Sequence, residues 1–203
     1  MDINCLLFNG FETLDLFGPV EVFSKVEEYN LKYYSTDGEN IVNAQNMQII
    51  TENISSMDAS GILLVPGGKG TRTLINDGGF INTLKTIAEK STWCLTVCTG
   101  SALLAKTGLL DNCNATSNKL AFKWVESTRE KVHWKYNARW VVDKKYYTSS
   151  GISAGIDMAL GFISDRFDKA RADNIAKIME YKWNSDKDDD VFSSHSRCSL
   201  RQP

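Results

Sequence analysis

A chain of 203 residues, 42% hydrophobic and 24% charged with a formal net charge of −2, fits one globular domain and is long enough to bury a core. That balance provides no excess of positive charge to hold a nucleic acid or an anionic membrane, and no apolar run approaches the roughly 20 residues needed to span a bilayer. The N-terminus lacks the charged start, apolar stretch and small-residue cleavage site of a signal peptide, so a cytoplasmic location is expected.

The cysteines are Cys5, Cys94, Cys98, Cys113 and Cys198. Their number is odd and no two form a CxxC pair, which predicts neither a disulfide framework nor a zinc site. In a reducing compartment they are thiols. His133 and His195 are the two histidines, too few for a histidine metal site, and neither metal nor cofactor is expected.

The chain opens with the apolar run Ile3 to Phe8, short enough for a buried strand, followed by a turn at Asn9-Gly10. Leu14, Leu16, Phe17, Val20, Val22 and Phe23 then recur at helical spacing up to Val26, interrupted by Gly18-Pro19, where proline suits a first turn. Leu31 to Ser35 reads as a second strand and Ile41 to Thr51 as a small β excursion. Gly61 to Val65 is another buried strand, ended by Pro66-Gly67-Gly68, and a helix over 79–90 leads to the strand Trp93 to Val97.

After Cys98 a helix over 100–106 closes at Gly108. Ala115-Thr116-Ser117 predicts a very short strand before a helix reaching Trp124. Trp134 to Thr148 has the alternation of a hairpin around Asp143-Lys144. The last long helix is expected from Ala154 to Tyr181, with a break at Arg166-Phe167-Asp168. Alternating strands and helices predict an α/β fold: a mainly parallel sheet with helices on both faces and a small β-hairpin excursion. One domain is expected over 1–183, followed by a polar tail over 184–203, extended or disordered, whose Asp186 to Asp190 reads as a solvated acidic run.

Three features could carry chemistry. Cys98 sits where a strand turns sharply into a helix, at the carboxyl end of the sheet where α/β proteins place their sites. There the free N–H groups and dipole of the helix would favour thiolate. As the plain alternative, Cys98 is a small hydrophobe ending a strand. Gly67 and Gly68 either make a tight turn or present backbone N–H groups to negative charge on a substrate. Asp15, among large apolar residues, is either a helix N-cap or a carboxyl with a raised pKa, suited to acid catalysis near neutral pH.

Leu14-Asp15-Leu16-Phe17-Gly18-Pro19, Val65-Pro66-Gly67-Gly68, Val97-Cys98-Thr99-Gly100-Ser101, Ala115-Thr116-Ser117 and Ser153-Ala154-Gly155-Ile156-Asp157 follow one another in the order seen in the ThiJ/PfpI superfamily. The chain most resembles its isocyanide (isonitrile) hydratase branch. The resemblance implies a flavodoxin-like three-layer sandwich, a homodimer, Cys98 as nucleophile, Asp15 as its carboxylate partner and Thr99 as a further site residue. Many relatives place a histidine just after the cysteine or after the Ala-Thr-Ser-like strand; here those positions hold Thr99 and Asn118. The expected activity is therefore cofactor-free hydration of a small-molecule isocyanide to an N-substituted formamide. Two alternatives are a glyoxalase- or deglycase-like enzyme acting on 2-oxoaldehydes and a non-enzymatic cysteine redox sensor.

Overall fold

The computed structural model describes residues 1–193. Its centre is a seven-stranded sheet in the order β10-β11-β7-β6-β1-β2-β5. These strands are β1 (Asp2–Leu6), β2 (Asn30–Ser35), β5 (Glu52–Asn53), β6 (Ile62–Val65), β7 (Trp93–Val97), β10 (Trp140–Asp143) and β11 (Tyr146–Ser149). All neighbours pair in parallel except β10 and β11, which form the antiparallel hairpin expected around Asp143-Lys144. Every residue of β6 is fully buried, as a strand covered on both faces must be, which is why it reads as an unbroken apolar run. A separate two-stranded ribbon, β3 (Ile41–Val42) and β4 (Gln48–Ile49), is the expected excursion.

Helices cover the sheet in two sets. One set is α1 (Thr13–Phe23), α6 (Ala154–Arg166) and α7 (Lys169–Ile178), packed through α6. The other is α2 (Thr71–Leu74), α3 (Gly78–Lys90), α4 (Gly100–Lys106) and α5 (Phe122–Thr128), packed through α4. The chain runs from β1 outward to β2 and then returns to β6 on the other side of β1. Such a reversal opens a crevice at the carboxyl ends of the strands, and the segments after β1, β6 and β7 meet there.

Two local expectations are corrected and a third is met. Helix α1 runs unbroken through Gly18-Pro19 rather than starting there. Pro19 forfeits only the bond its N–H would have made to the Asp15 carbonyl, and burial of Val20, Val22 and Phe23 offsets that loss. Trp134 does not belong to the hairpin: with His133 it forms β9, parallel to β8 (Asn114–Ala115). The last helix divides at Phe167-Asp168, the predicted break, because Asp168 accepts a hydrogen bond from the Arg171 N–H at 2.7 Å and starts α7 anew.

Residues 186–189 of the acidic run are exposed as expected, and Asp190 alone departs from it. Residues 184–190 form no helix or strand, yet Lys187 O accepts hydrogen bonds from the N–H groups of Arg139 (2.8 Å) and Trp140 (3.2 Å), and the Asp190 N–H donates to Asn137 O at 2.8 Å. Asp190 is not solvated. It is fully buried, 3.6 Å from both Lys119 Nζ and Arg139 Nη1. Arg139 also pairs with Asp157 at 2.8 Å and donates to Ser153 Oγ at 3.1 Å, which gives the Ser153 to Asp157 motif a structural role. Residues 194–203, with His195 and Cys198, lie outside the described residues. Asp190→Ala would remove the carboxylate beside the buried Lys119, leaving its hydrogen bonds to Ala138 O (2.7 Å) and Thr116 Oγ1 (3.1 Å), and would leave Arg139 paired with Asp157. Urea denaturation should register a loss of about 3 kcal/mol; an unchanged midpoint would show that this contact does not hold the tail.

Candidate active site

Cys98 lies between β7 and α4 with φ of 56°, in the left-handed region that a non-glycine residue enters at a cost of about 1–3 kcal/mol. Four hydrogen bonds hold it there. Its N–H is shared between Ser149 O (3.2 Å) and Ser150 O (3.3 Å) at the end of β11. Its carbonyl accepts from Ser117 Oγ at 2.7 Å and Ser101 Oγ at 2.9 Å. This elbow turns the sulfur out of the sheet and into the crevice, leaving the residue only 6% exposed.

Asp15 reaches the same place from the first turn of α1. It is not the N-cap, which is Glu12, and it is fully buried. Its Oδ2 accepts a hydrogen bond from the Gly67 N–H at 3.0 Å, while Oδ1 has no protein partner and the carboxyl lies alongside the Cys98 thiol. Burial pushes the Asp15 pKa up to about 8, against the opposing pull of the Gly67 N–H and the thiol. Burial, and then the charge of Asp15, also push the Cys98 thiol well above its ordinary value, opposed by the N–H of Thr99. Desolvation thus opposes the thiolate that the Thr99 N–H at the start of α4 favours. The two groups titrate as a unit that resists carrying two negative charges.

Thr99 binds this pair to the strand β6. Its Oγ1 accepts from the Gly68 N–H at 3.0 Å and lies 3.1 Å from Thr71 Oγ1. The expected role of Gly67 and Gly68 as donors to the substrate is therefore revised, since one N–H serves Asp15 and the other serves Thr99. Gly67 is required for room. A Cβ there would stand 2.6 Å from Thr99 N and 2.8 Å from Asp15 Oδ2.

Residues 1–165 match the model of the DJ-1/PfpI family. The chain belongs to this family. A relative named isonitrile hydratase, from Pseudomonas putida, is 26% identical over 194 residues, covering 89% of this chain and 78% of its own. A solved THiJ/PfpI family protein from Pseudomonas syringae superposes with a TM-score of 0.82 at 22% identity, over 89% of this chain and 75% of its own. Drosophila melanogaster DJ-1beta gives 0.76 at 17% identity, over 90% of this chain and 98% of its own. The two structures share the flavodoxin-like fold of the DJ-1/PfpI family with this protein.

Within that fold two further residues border the sulfur. A Cβ on Gly151 would lie 2.8 Å from Cys98 Sγ and 2.4 Å from Asn118 Nδ2, so the amide and the thiol face the same small space. Asn118 Oδ1 accepts from the Ala121 N–H at 3.1 Å, which assigns the donor end of the amide to that space. Gly151 was invisible in sequence, because its role is to leave a gap between residues distant in the chain. His133 stands exposed on β9. Among the described residues no cluster of three metal-ligating side chains occurs, and no helix is long and apolar enough to cross a membrane. Gly151→Ala places a methyl in the space of the thiol. Labelling of Cys98 by iodoacetamide, read by peptide mass, should slow at least about tenfold while the melting temperature shows that the variant still folds; equal labelling would show that the space is not needed.

Proposed function

We propose that this DJ-1/PfpI protein hydrates isocyanides to N-substituted formamides, with Cys98 as nucleophile and Asp15 as the group that moves the proton. The observation that carries this reading is the buried pair itself: a thiol beside a carboxyl held near pKa 8, with a free oxygen and no imidazole within the set Cys98, Asp15, Thr99, Asn118 and Gly151. In molecules whose Asp15 is ionised, transfer of the thiol proton to it creates a thiolate and a carboxylic acid without placing a second negative charge in the crevice. The thiolate attacks the terminal carbon, forming the S–C bond, and Asp15 delivers its proton to the same carbon to give a thioimidate. Water then adds to that carbon, giving one proton to Asp15. Asp15 passes that proton to the nitrogen. The adduct then collapses as its hydroxyl proton moves by way of Asp15 to the sulfur, the C=O forms and the S–C bond breaks, so the formamide leaves with the thiol and the carboxylate restored.

The linear, slender isocyanide group suits a cysteine that is only 6% exposed. A redox sensor calls for a low-pKa, accessible thiol, whereas burial drives this one the other way. A 2-oxoaldehyde reaction calls for proton transfer between adjacent carbons, for which the site supplies no second base. In the same proposal the protein is a cytoplasmic homodimer that needs no cofactor. The test is to incubate the protein separately with phenyl isocyanide, cyclohexyl isocyanide and methylglyoxal. Formamide from the isocyanides is expected; lactate without formamide would replace this reading with the glyoxalase one.

A further inference from the structure

Arg72, exposed, is the first arginine met beyond the site's glycine loop. Its guanidinium lies flat against Trp124, 3.4 Å from the ring centroid. Such stacking holds the planar group in place and leaves its N–H edge available for a bidentate acceptor. Among the described residues it makes no hydrogen bond and no ion pair. By contrast Arg129, Arg139 and Arg171 each have a carboxylate partner.

The stack is also tied to the neighbourhood of the reacting sulfur. Arg72 follows Thr71, whose Oγ1 is 3.1 Å from that of Thr99, the residue after the nucleophile. Trp124 belongs to α5, which follows the loop carrying Asn118, whose Nδ2 borders Cys98 Sγ. Helices α2 and α5 both pack on α4, the helix that starts from the elbow. Partial burial lowers the Arg72 pKa and the Cys98 sulfur opposes that shift, so the two groups lie within electrostatic reach. Carboxylates near this mouth are otherwise occupied: Asp15 is buried, and Glu12 accepts from Gln45 Nε2 at 3.0 Å.

We propose that the stacked, unpaired Arg72 makes this site selective for a carboxylate-bearing substrate, its guanidinium receiving the carboxylate while the other end of the molecule meets Cys98. Resting on the hydration reading, the substrate class is an isocyanide whose substituent carries a carboxylate, and the product an N-formyl amino carboxylate. The anion preference itself is independent of that chemistry, because an anionic reagent at Cys98 comes within electrostatic reach of the same cation.

Two comparisons test it. In the first, Cys98 is alkylated with iodoacetate or iodoacetamide and the modified peptide is quantified; each reagent forms an S–C bond and releases iodide. The ratio of the two rates, divided by that for N-acetylcysteine, cancels any change in thiolate fraction. We expect this ratio to fall about tenfold in Arg72→Gln, to be partly restored in Arg72→Lys, and to stay unchanged in Lys85→Gln, which removes an exposed charge from α3. In the second, hydration of 4-isocyanobenzoate is compared with that of its methyl ester, and the acid should be favoured through KM in the native protein and not in Arg72→Gln. A shifted alkylation ratio with no formamide from either compound would keep the anion site and overturn the hydration reading. Hydration of both compounds with equal KM, and an alkylation ratio indifferent to Arg72, would overturn the anion site.

Discussion

Cys98→Ala is expected to abolish formamide production from phenyl isocyanide, a fall in kcat/KM on the order of 10⁴-fold or more, since no other group near the substrate can form the covalent adduct. The remaining described cysteines, Cys5, Cys94 and Cys113, are fully or almost fully buried. They offer no substitute. Asp15→Ala should be slower by about 10²- to 10⁴-fold, the range for a positioned proton donor. The two losses should not add: once the sulfur is gone the acid has nothing to protonate, so the double variant should match Cys98→Ala. Formamide formed by Cys98→Ala at more than about a hundredth of the native rate would mean that the thiol is not the nucleophile.

The second expectation joins that site to stability. Asp15 has an ordinary pKa of 3.8 when unfolded and about 8 in the folded chain, so between those values the native state holds a proton that the unfolded state has lost. Stability therefore falls as pH rises from about 4 to about 8, at up to about 1.4 kcal/mol per pH unit from this group alone. Asp15→Asn retains an oxygen for the Gly67 N–H and cannot ionise, so it lacks that slope. Thermal melts should show the variant close to the native protein at pH 4 and more stable by a few kcal/mol at pH 8, while hydration is lost. Equal melting temperatures at both pH values would show that Asp15 titrates normally. A residue whose removal stabilises the fold while ending activity is kept for chemistry.

Much of this architecture was readable from periodicity. Ile62 to Val65 had to be a strand buried on both sides, and Cys98 at the end of Trp93 to Val97 had to sit at the rim of a parallel sheet. Those conclusions need only the local alternation of apolar residues and turn formers. Helix limits were less legible where tertiary burial outweighed local preference, as at Pro19 inside α1.

The sequence by itself determined the fold class, the thiol at the elbow and a carboxyl in apolar surroundings, because each depends on neighbours in the chain. Only the tertiary structure decided what those groups do to one another. It showed that the N–H groups of Gly67 and Gly68 serve Asp15 and Thr99 rather than a substrate. It placed Asn118 and the gap at Gly151 against the sulfur, and it buried Asp190 between Lys119 and Arg139. Burial and charge depend on residues brought together from distant parts of the chain, and for that reason the raised pKa values of Cys98 and Asp15 belong to the folded molecule alone.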